Sequence, residues 1–99
     1  MTPLSSRQRA HLRSLAHSLK PLLQAGPAGV TDAFLTALDE AFQTHELLKI
    51  RLLDAPDLDL KGVVATIPER RPDVEVVQTI GKVAALYRPL PDGSELELP

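Results

Sequence analysis

The side chains of this sequence with the clearest chemical potential are basic, and they come early. Arg7, Arg9, Arg13 and Lys20 lie in the first 31 residues, with His11 and His17 and no acid at all. Gly26-Pro27-Ala28-Gly29 follows, and a helix start follows that. Two glycines let a backbone approach a ligand closely. The free amides of a helix start, at the positive end of its dipole, attract phosphate. A Gly-x-x-Gly loop that grips phosphate also marks one reader of single-stranded RNA, the KH module. Alone, such glycines usually serve a turn, and a basic cluster is usually a solvated helix face. Their adjacency is what raises the reading of a surface for an anion.

Catalytic constellations are lacking. His11 and His17 are six apart on one helix, about 240° around its axis, so they cannot share a metal from one face. His45-Glu46 lacks the second histidine of a zinc-protease motif. There is no Gly-x-Ser-x-Gly elbow and no phosphate loop ending Gly-Lys-Ser/Thr. Asp39-Glu40 and the pair Asp57 and Asp59 read as helix-surface and turn residues. The absence of cysteine excludes disulfides, thiolate zinc sites, iron–sulfur clusters and a cysteine nucleophile. No enzyme activity, metal or cofactor is expected. His17 reads as a partly buried structural residue.

The elements that must position the basic residues follow from local signals. Ser5 or Ser6 caps a first helix, in which Leu12, Leu15, Ala16 and Leu19 form an apolar stripe. Arg9 and Arg13, four apart, project together from another face. Lys20-Pro21 ends that helix, and residues 21–25 read as a strand or extended segment. After the glycine loop, Thr31 caps a second helix with Asp32 in its first turn and Val30 poised to staple onto Leu35. Phe34, Leu38, Ala41 and Phe42 form its buried face, and it should end near Thr44. Residues 47–53 read as a strand with Leu48, Ile50 and Leu52 on one face, and Lys49 and Arg51 side by side in solvent on the other. Residues 54–57 read as a turn. Residues 58–67 read as a short helix that Pro68 stops. Residues 74–80 and 83–88 form a hairpin around Gly81-Lys82, whose glycine-first order fits a type II′ turn. Residues 89–99 are either a frayed tail or, through a turn at residues 91–94, an extra edge strand over residues 95–98. Helix, strand, helix, strand, helix, strand, strand is a compact α/β domain with a mixed sheet and helices packed on it.

Composition frames this reading. The chain has 99 residues, enough for one domain. Its core must be aliphatic, since Phe34, Phe42 and Tyr87 are the only aromatic residues. No apolar run approaches the roughly 20 residues that span a bilayer, and nothing resembles a signal peptide. A cytoplasmic protein with no membrane partner, as a monomer, is the default expectation. The net charge of −2 argues against nucleic acid when taken alone. It sums a first half, through Arg51, with six basic and four acidic residues and a second half with five and nine.

Four stretches resemble a known family. They are Leu4-Ser5-Ser6-Arg7-Gln8-Arg9 with Leu12-Arg13, Ala16-His17 and Leu19-Lys20-Pro21; Gly26-Pro27-Ala28-Gly29-Val30-Thr31; His45-Glu46-Leu47-Leu48-Lys49-Ile50-Arg51; and Val77-Gln78-Thr79-Ile80-Gly81-Lys82 running to Leu86-Tyr87-Arg88-Pro89. In this order and spacing they resemble small bacterial proteins of the YhbY type, stand-alone CRM domains (chloroplast RNA splicing and ribosome maturation). The resemblance spans residues 4–89. It implies a four-stranded sheet in a fold similar to the C-terminal domain of translation initiation factor three. It also implies RNA binding and association with precursors of the large ribosomal subunit. The family usually carries a basic residue between its loop glycines, where this chain has Pro27-Ala28; that departure removes a direct phosphate partner and stiffens the loop.

The expectation is therefore a CRM-type domain over residues 1–89 with an acidic, proline-containing tail over residues 90–99. It binds structured rRNA of the large-subunit precursor, and so the pre-ribosomal particle, without catalysis. Its contacts are Arg7, Arg9, Arg13, Lys20, the loop Gly26, Pro27, Ala28 and Gly29, and then Lys49, Arg51, Lys82 and Arg88. With so few aromatics, shape and backbone recognition should outweigh base stacking. The alternative is a protein-interaction module that docks a ribosomal protein through the acidic second half.

Overall fold

The computed structural model describes residues 4–26, 29–53 and 60–89. The elements there follow the expected order: α1 (Ser6–Ala16), β1 (Pro21–Ala25), α2 (Asp32–Ala41), β2 (Leu47–Leu52), α3 (Leu60–Arg70), β3 (Glu75–Ile80) and β4 (Val83–Tyr87). The expected turns at residues 54–57 and 91–94, the final edge strand, the tail and the Pro27-Ala28 pair lie outside the described residues. The four strands form one mixed sheet in the order β1-β2-β4-β3. β1 runs parallel to β2, and β4 runs antiparallel to both of its neighbours.

Alternation along the strands sorts side chains onto two faces. Leu48, Ile50 and Leu52 of β2, with Ala84 and Leu86 of β4, meet Phe34, Leu35, Leu38 and Phe42 of the α2 segment and Val64 and Ile67 of α3. This is the larger core, and each fully buried leucine in it contributes about 1.5–3 kcal/mol. On the other face Leu12 and Ala16 of α1 meet Leu47, Val77, Ala85 and Tyr87. β4 is covered on both faces there, which is why Ala84 to Tyr87 are all buried.

Of the two caps expected for α1 the structure uses Ser5, and α2 starts from Thr31 as expected. The Ser5 hydroxyl accepts from the Gln8 amide at 3.1 Å, and the Gln8 side chain accepts from the Ser5 amide at 2.9 Å. This reciprocal box satisfies two donors at once. Thr31 accepts from the Phe34 amide at 3.0 Å and starts α2. At the hairpin Gly81 has φ 59° and Lys82 has no positive φ, the combination of a type II′ rather than a type I′ turn.

Three expectations need correction. α1 ends at Ala16, not at Lys20, so the buried stripe narrows to Leu12 and Ala16, with Leu15 36% and Leu19 39% exposed. Lys20 must be extended before Pro21, and the intervening residues are spent turning the chain into β1. His17, beyond that helix end, is exposed rather than partly buried. Pro68 does not stop α3 but lies inside it. Proline removes the single bond its own amide would have made, while the Arg71 amide still reaches the Ile67 carbonyl at 2.7 Å and continues the turn past it.

Candidate nucleic-acid interface

Lys49 and Arg51 lie on the α1 face of the sheet, because the residues alternating with them belong to the core beneath α2 and α3. α1 covers one end of that face, packing on β2 and β3. The remainder is open. There Arg51 pairs in register with Val83, and Val83 with Ile80, whose side chain is 65% exposed. Lys49 is half-buried, and its ammonium donates to the Leu19 carbonyl at 3.1 Å, where α1 hands over to β1.

Arg7, Arg13, Lys20 and Arg51 are exposed, and among the described residues none of the four is joined to an acid. Lys82 is exposed at the β3–β4 turn, on the rim of the same open region. Apart from Glu75, the described acids are elsewhere. Asp32, Asp39 and Glu40 belong to α2, Glu69 to α3 and Asp73 to the turn after it. Glu46 is buried before β2, and Glu75 on β3 is paired with Arg9. The basic residues of α1 thus share one side of the molecule with Lys49, Arg51 and Lys82, which come from the middle and second half of the chain.

The structure separates two predicted contacts from this group. Arg9 reaches across to β3, where one nitrogen pairs with Glu75 at 2.7 Å and another donates to the Val76 carbonyl at 3.1 Å. It anchors α1 to the sheet and does not project alongside Arg13. Arg88 turns to the α2 side. It pairs with Asp39 at 3.3 Å and Asp73 at 3.2 Å, and its guanidinium lies 5.5 Å from the centre of the Phe42 ring. Only 17% of its side chain is exposed. Arg71 holds the same Asp39 through two nitrogens, at 2.8 and 2.9 Å. The Arg71 hydrogen bonds, helped by the charges of Arg71 and Arg88 and opposed by partial burial, hold the Asp39 carboxyl below the usual carboxylate range.

The glycine loop leaves the C-terminal end of β1. The Gly29 amide donates to the Gly26 carbonyl at 2.9 Å, and Gly29 is buried with φ 74°, a conformation that favours glycine. Arg70 of α3 donates to the Val30 carbonyl at 3.4 Å and pairs with Asp32 in the first turn of α2. The Asp32 carboxylate therefore sits where a phosphate would meet the helix amides, and Arg70 offsets its charge. Sequence reasoning missed the Arg70 latch and the Arg9–Glu75 anchor. No spacing rule links residues 66 positions apart. Gln78 and Ile80 were hidden as well: alternation from Val74 and Val76 assigns them to the larger core, and only the register shift between Val76 and Gln78 turns them to the open face. Among the described residues no group of His, Cys, Asp and Glu could hold a metal ion, and no helix is long and apolar enough to cross a membrane.

Comparison with known proteins identifies relatives that share this fold. A Haemophilus influenzae protein named "RNA-binding protein" is 35% identical over 99 residues, covering 100% of this chain and 98% of its own length. The Bacillus subtilis "Probable RNA-binding protein YqeI" is 35% identical over 96 residues, covering 97% and 99%. A solution structure of a hypothetical Staphylococcus aureus protein superposes with a TM-score of 0.81 at 32% identity, covering 98% of this chain and 100% of that one. The family profile described as the CRS1 / YhbY (CRM) domain matches residues 4–88. With sequence and fold in agreement, the chain belongs to the CRS1/YhbY (CRM) domain family.

Proposed function

We propose that this protein binds structured rRNA on its α1 face without catalysis and assists assembly of the large ribosomal subunit. The observation that carries the RNA reading is the gathering of Arg7, Arg13, Lys20, Lys49, Arg51 and Lys82 around one face, while the described acids lie mostly behind the sheet. Arg and Lys there neutralise phosphates and release counterions. The glycine loop stands at the end of the sheet that also carries the β3–β4 turn, so an RNA on this face would pass beside it. Arg9 and Arg88, engaged with Glu75, Asp39 and Asp73, serve the fold instead.

Family membership and RNA-binding relatives support RNA as the partner, and the YhbY resemblance supports the large-subunit precursor as the particular RNA. A cytoplasmic monomer fits this role. Crosslinking in cells, followed by sequencing of the bound RNA, tests the proposal. Reads are expected to concentrate on large-subunit rRNA and to vanish with Arg13→Glu/Lys20→Glu. Both residues are exposed, so the fold should survive the change. A crosslink map without rRNA overturns the large-subunit assignment.

A further inference from the structure

The open part of the α1 face is not flat. A groove of about 360 Å³ is set into it, lined by His17, Pro21, Lys49, Gln78, Ile80 and Val83. That size is at the small end of the roughly 300–1,000 Å³ range of small-molecule sites, room for a planar ring and its sugar and far too little for a helix. Its walls are mixed. Pro21, Ile80 and Val83 are apolar, and Ile80 stays largely in water despite its size. His17 supplies an exposed ring, Gln78 an amide that no described residue bonds, and Lys49 a cation. No acid lines it. Exposed Lys20 and Arg51 adjoin Pro21 and Val83, in sequence and in register respectively.

An apolar slot edged by a ring, an amide and cations matches one chemistry closely. An unstacked nucleobase needs a face to lie on, and imidazole is among the rings that bases stack upon. It needs donor and acceptor groups at its edge, and a glutamine amide offers both. The phosphates on either side of it need positive charge. We infer that this groove receives one unpaired base of the bound RNA, with His17 and Ile80 against its faces, Gln78 at its edge and Lys49 on an adjoining phosphate. The inference rests on the RNA reading above and sharpens it. The site takes an RNA with an extruded or single-stranded nucleotide rather than an uninterrupted duplex.

Binding of an eight-nucleotide oligoadenylate, compared with an abasic oligomer of equal length and charge, tests this by fluorescence anisotropy. The wild-type protein should prefer the oligoadenylate about tenfold, within what one stacked and hydrogen-bonded base contributes. The double variant His17→Ala/Ile80→Ser changes two exposed side chains, so its circular dichroism should match wild type. It should bind both oligomers with equal affinity and keep the wild-type salt dependence. Ile80→Trp, which enlarges the apolar wall, should raise the preference. Equal wild-type affinity for the two oligomers overturns the groove assignment and leaves the RNA reading standing, as does a preference that survives the double variant. Failure to bind either oligomer at low salt, together with failure to bind rRNA fragments, overturns both.

Discussion

At the scale of single residues, the same side-chain type does opposite work on the two sides of the sheet. Arg13 and Arg51 are exposed and are joined to no described acid, whereas Arg88 is wrapped by Asp39, Asp73 and the Phe42 ring. Arg88→Ala should therefore lower stability by about 1–3 kcal/mol, since it strips a half-buried cluster of its shared cation. Arg13→Ala should leave stability within about 0.5 kcal/mol of wild type. Urea unfolding monitored by circular dichroism checks both. The cluster also sets a pH dependence. Asp39 is held below the usual carboxylate range by Arg71 first, with Arg88 adding to it. A depressed folded-state pKa contributes stability that is complete above the unfolded value and is lost as pH falls through the folded one. The loss should begin near the usual carboxylate range and continue below about pH 4. Asp39→Asn should flatten this part of the stability profile while lowering the plateau at neutral pH. An acid limb as steep in Asp39→Asn as in wild type would show that other carboxylates govern it.

Elements were legible in proportion to how local their signals are. Thr31 before α2 and Gly81-Lys82 between two β-rich runs are signals over two or three residues, and the structure shows both as expected, while of Ser5 and Ser6 it selects Ser5 as the cap of α1. The face on which Lys49 and Arg51 lie was also legible, because alternation places Leu48 and Ile50 opposite them. The end of α1 was not, since it depends on how far the chain must travel to pair β1 with β2. The fate of Arg9 and Arg88 was hidden for the same reason, as their partners are brought in by strand order. Pro68 misleads because proline is a local signal overruled by tertiary contact: Ile67 is fully buried in the core, and Arg71 beyond it grips Asp39. Pro68→Ala restores an amide donor inside α3, at some cost in unfolded-state entropy. Helix propensity favours alanine by about 3 kcal/mol and the entropy returns about 1 of it, so a net gain of about 1–2 kcal/mol is expected. A thermal melt no higher than wild type would mean that α3 is bent to fit the proline. The glycine loop allows a cleaner substitution. Gly29 has φ 74° and is strained by any side chain, whereas a Cβ at Gly26 meets nothing within 4 Å and needs no unusual φ. Gly26→Asp should therefore leave the melt unchanged and weaken rRNA binding about tenfold by placing a carboxylate among the phosphates. Unchanged affinity would reduce the loop to a turn.

At the scale of the whole molecule, the net charge of −2 is misleading because binding is governed by the face and not by the sum. The division between a basic first half and an acidic second half is also incomplete as a description. Arg70, Arg71 and Arg88 are held by Asp32, Asp39 and Asp73 behind the sheet, while Lys82 from the second half joins α1 at the front. Salt dependence measures how many cations of that face meet phosphate. If Arg7, Arg13, Lys20, Lys49, Arg51 and Lys82 each neutralise one, the logarithm of affinity for single-stranded RNA should fall against the logarithm of salt with a slope of about −4. Removing Arg13 and Lys20 together should make that slope shallower by about 1.4. Arg88→Ala, measured where the variant is folded, should leave it unaltered, because that guanidinium is already engaged. Deleting residues 90–99 removes three acids and no base. It shifts the net charge toward the positive yet removes no cation, so the slope should again be unaltered. A slope that followed net charge across these variants, rather than the count of α1-face cations, would mean that RNA meets the protein as a diffuse polyelectrolyte and that no such face exists.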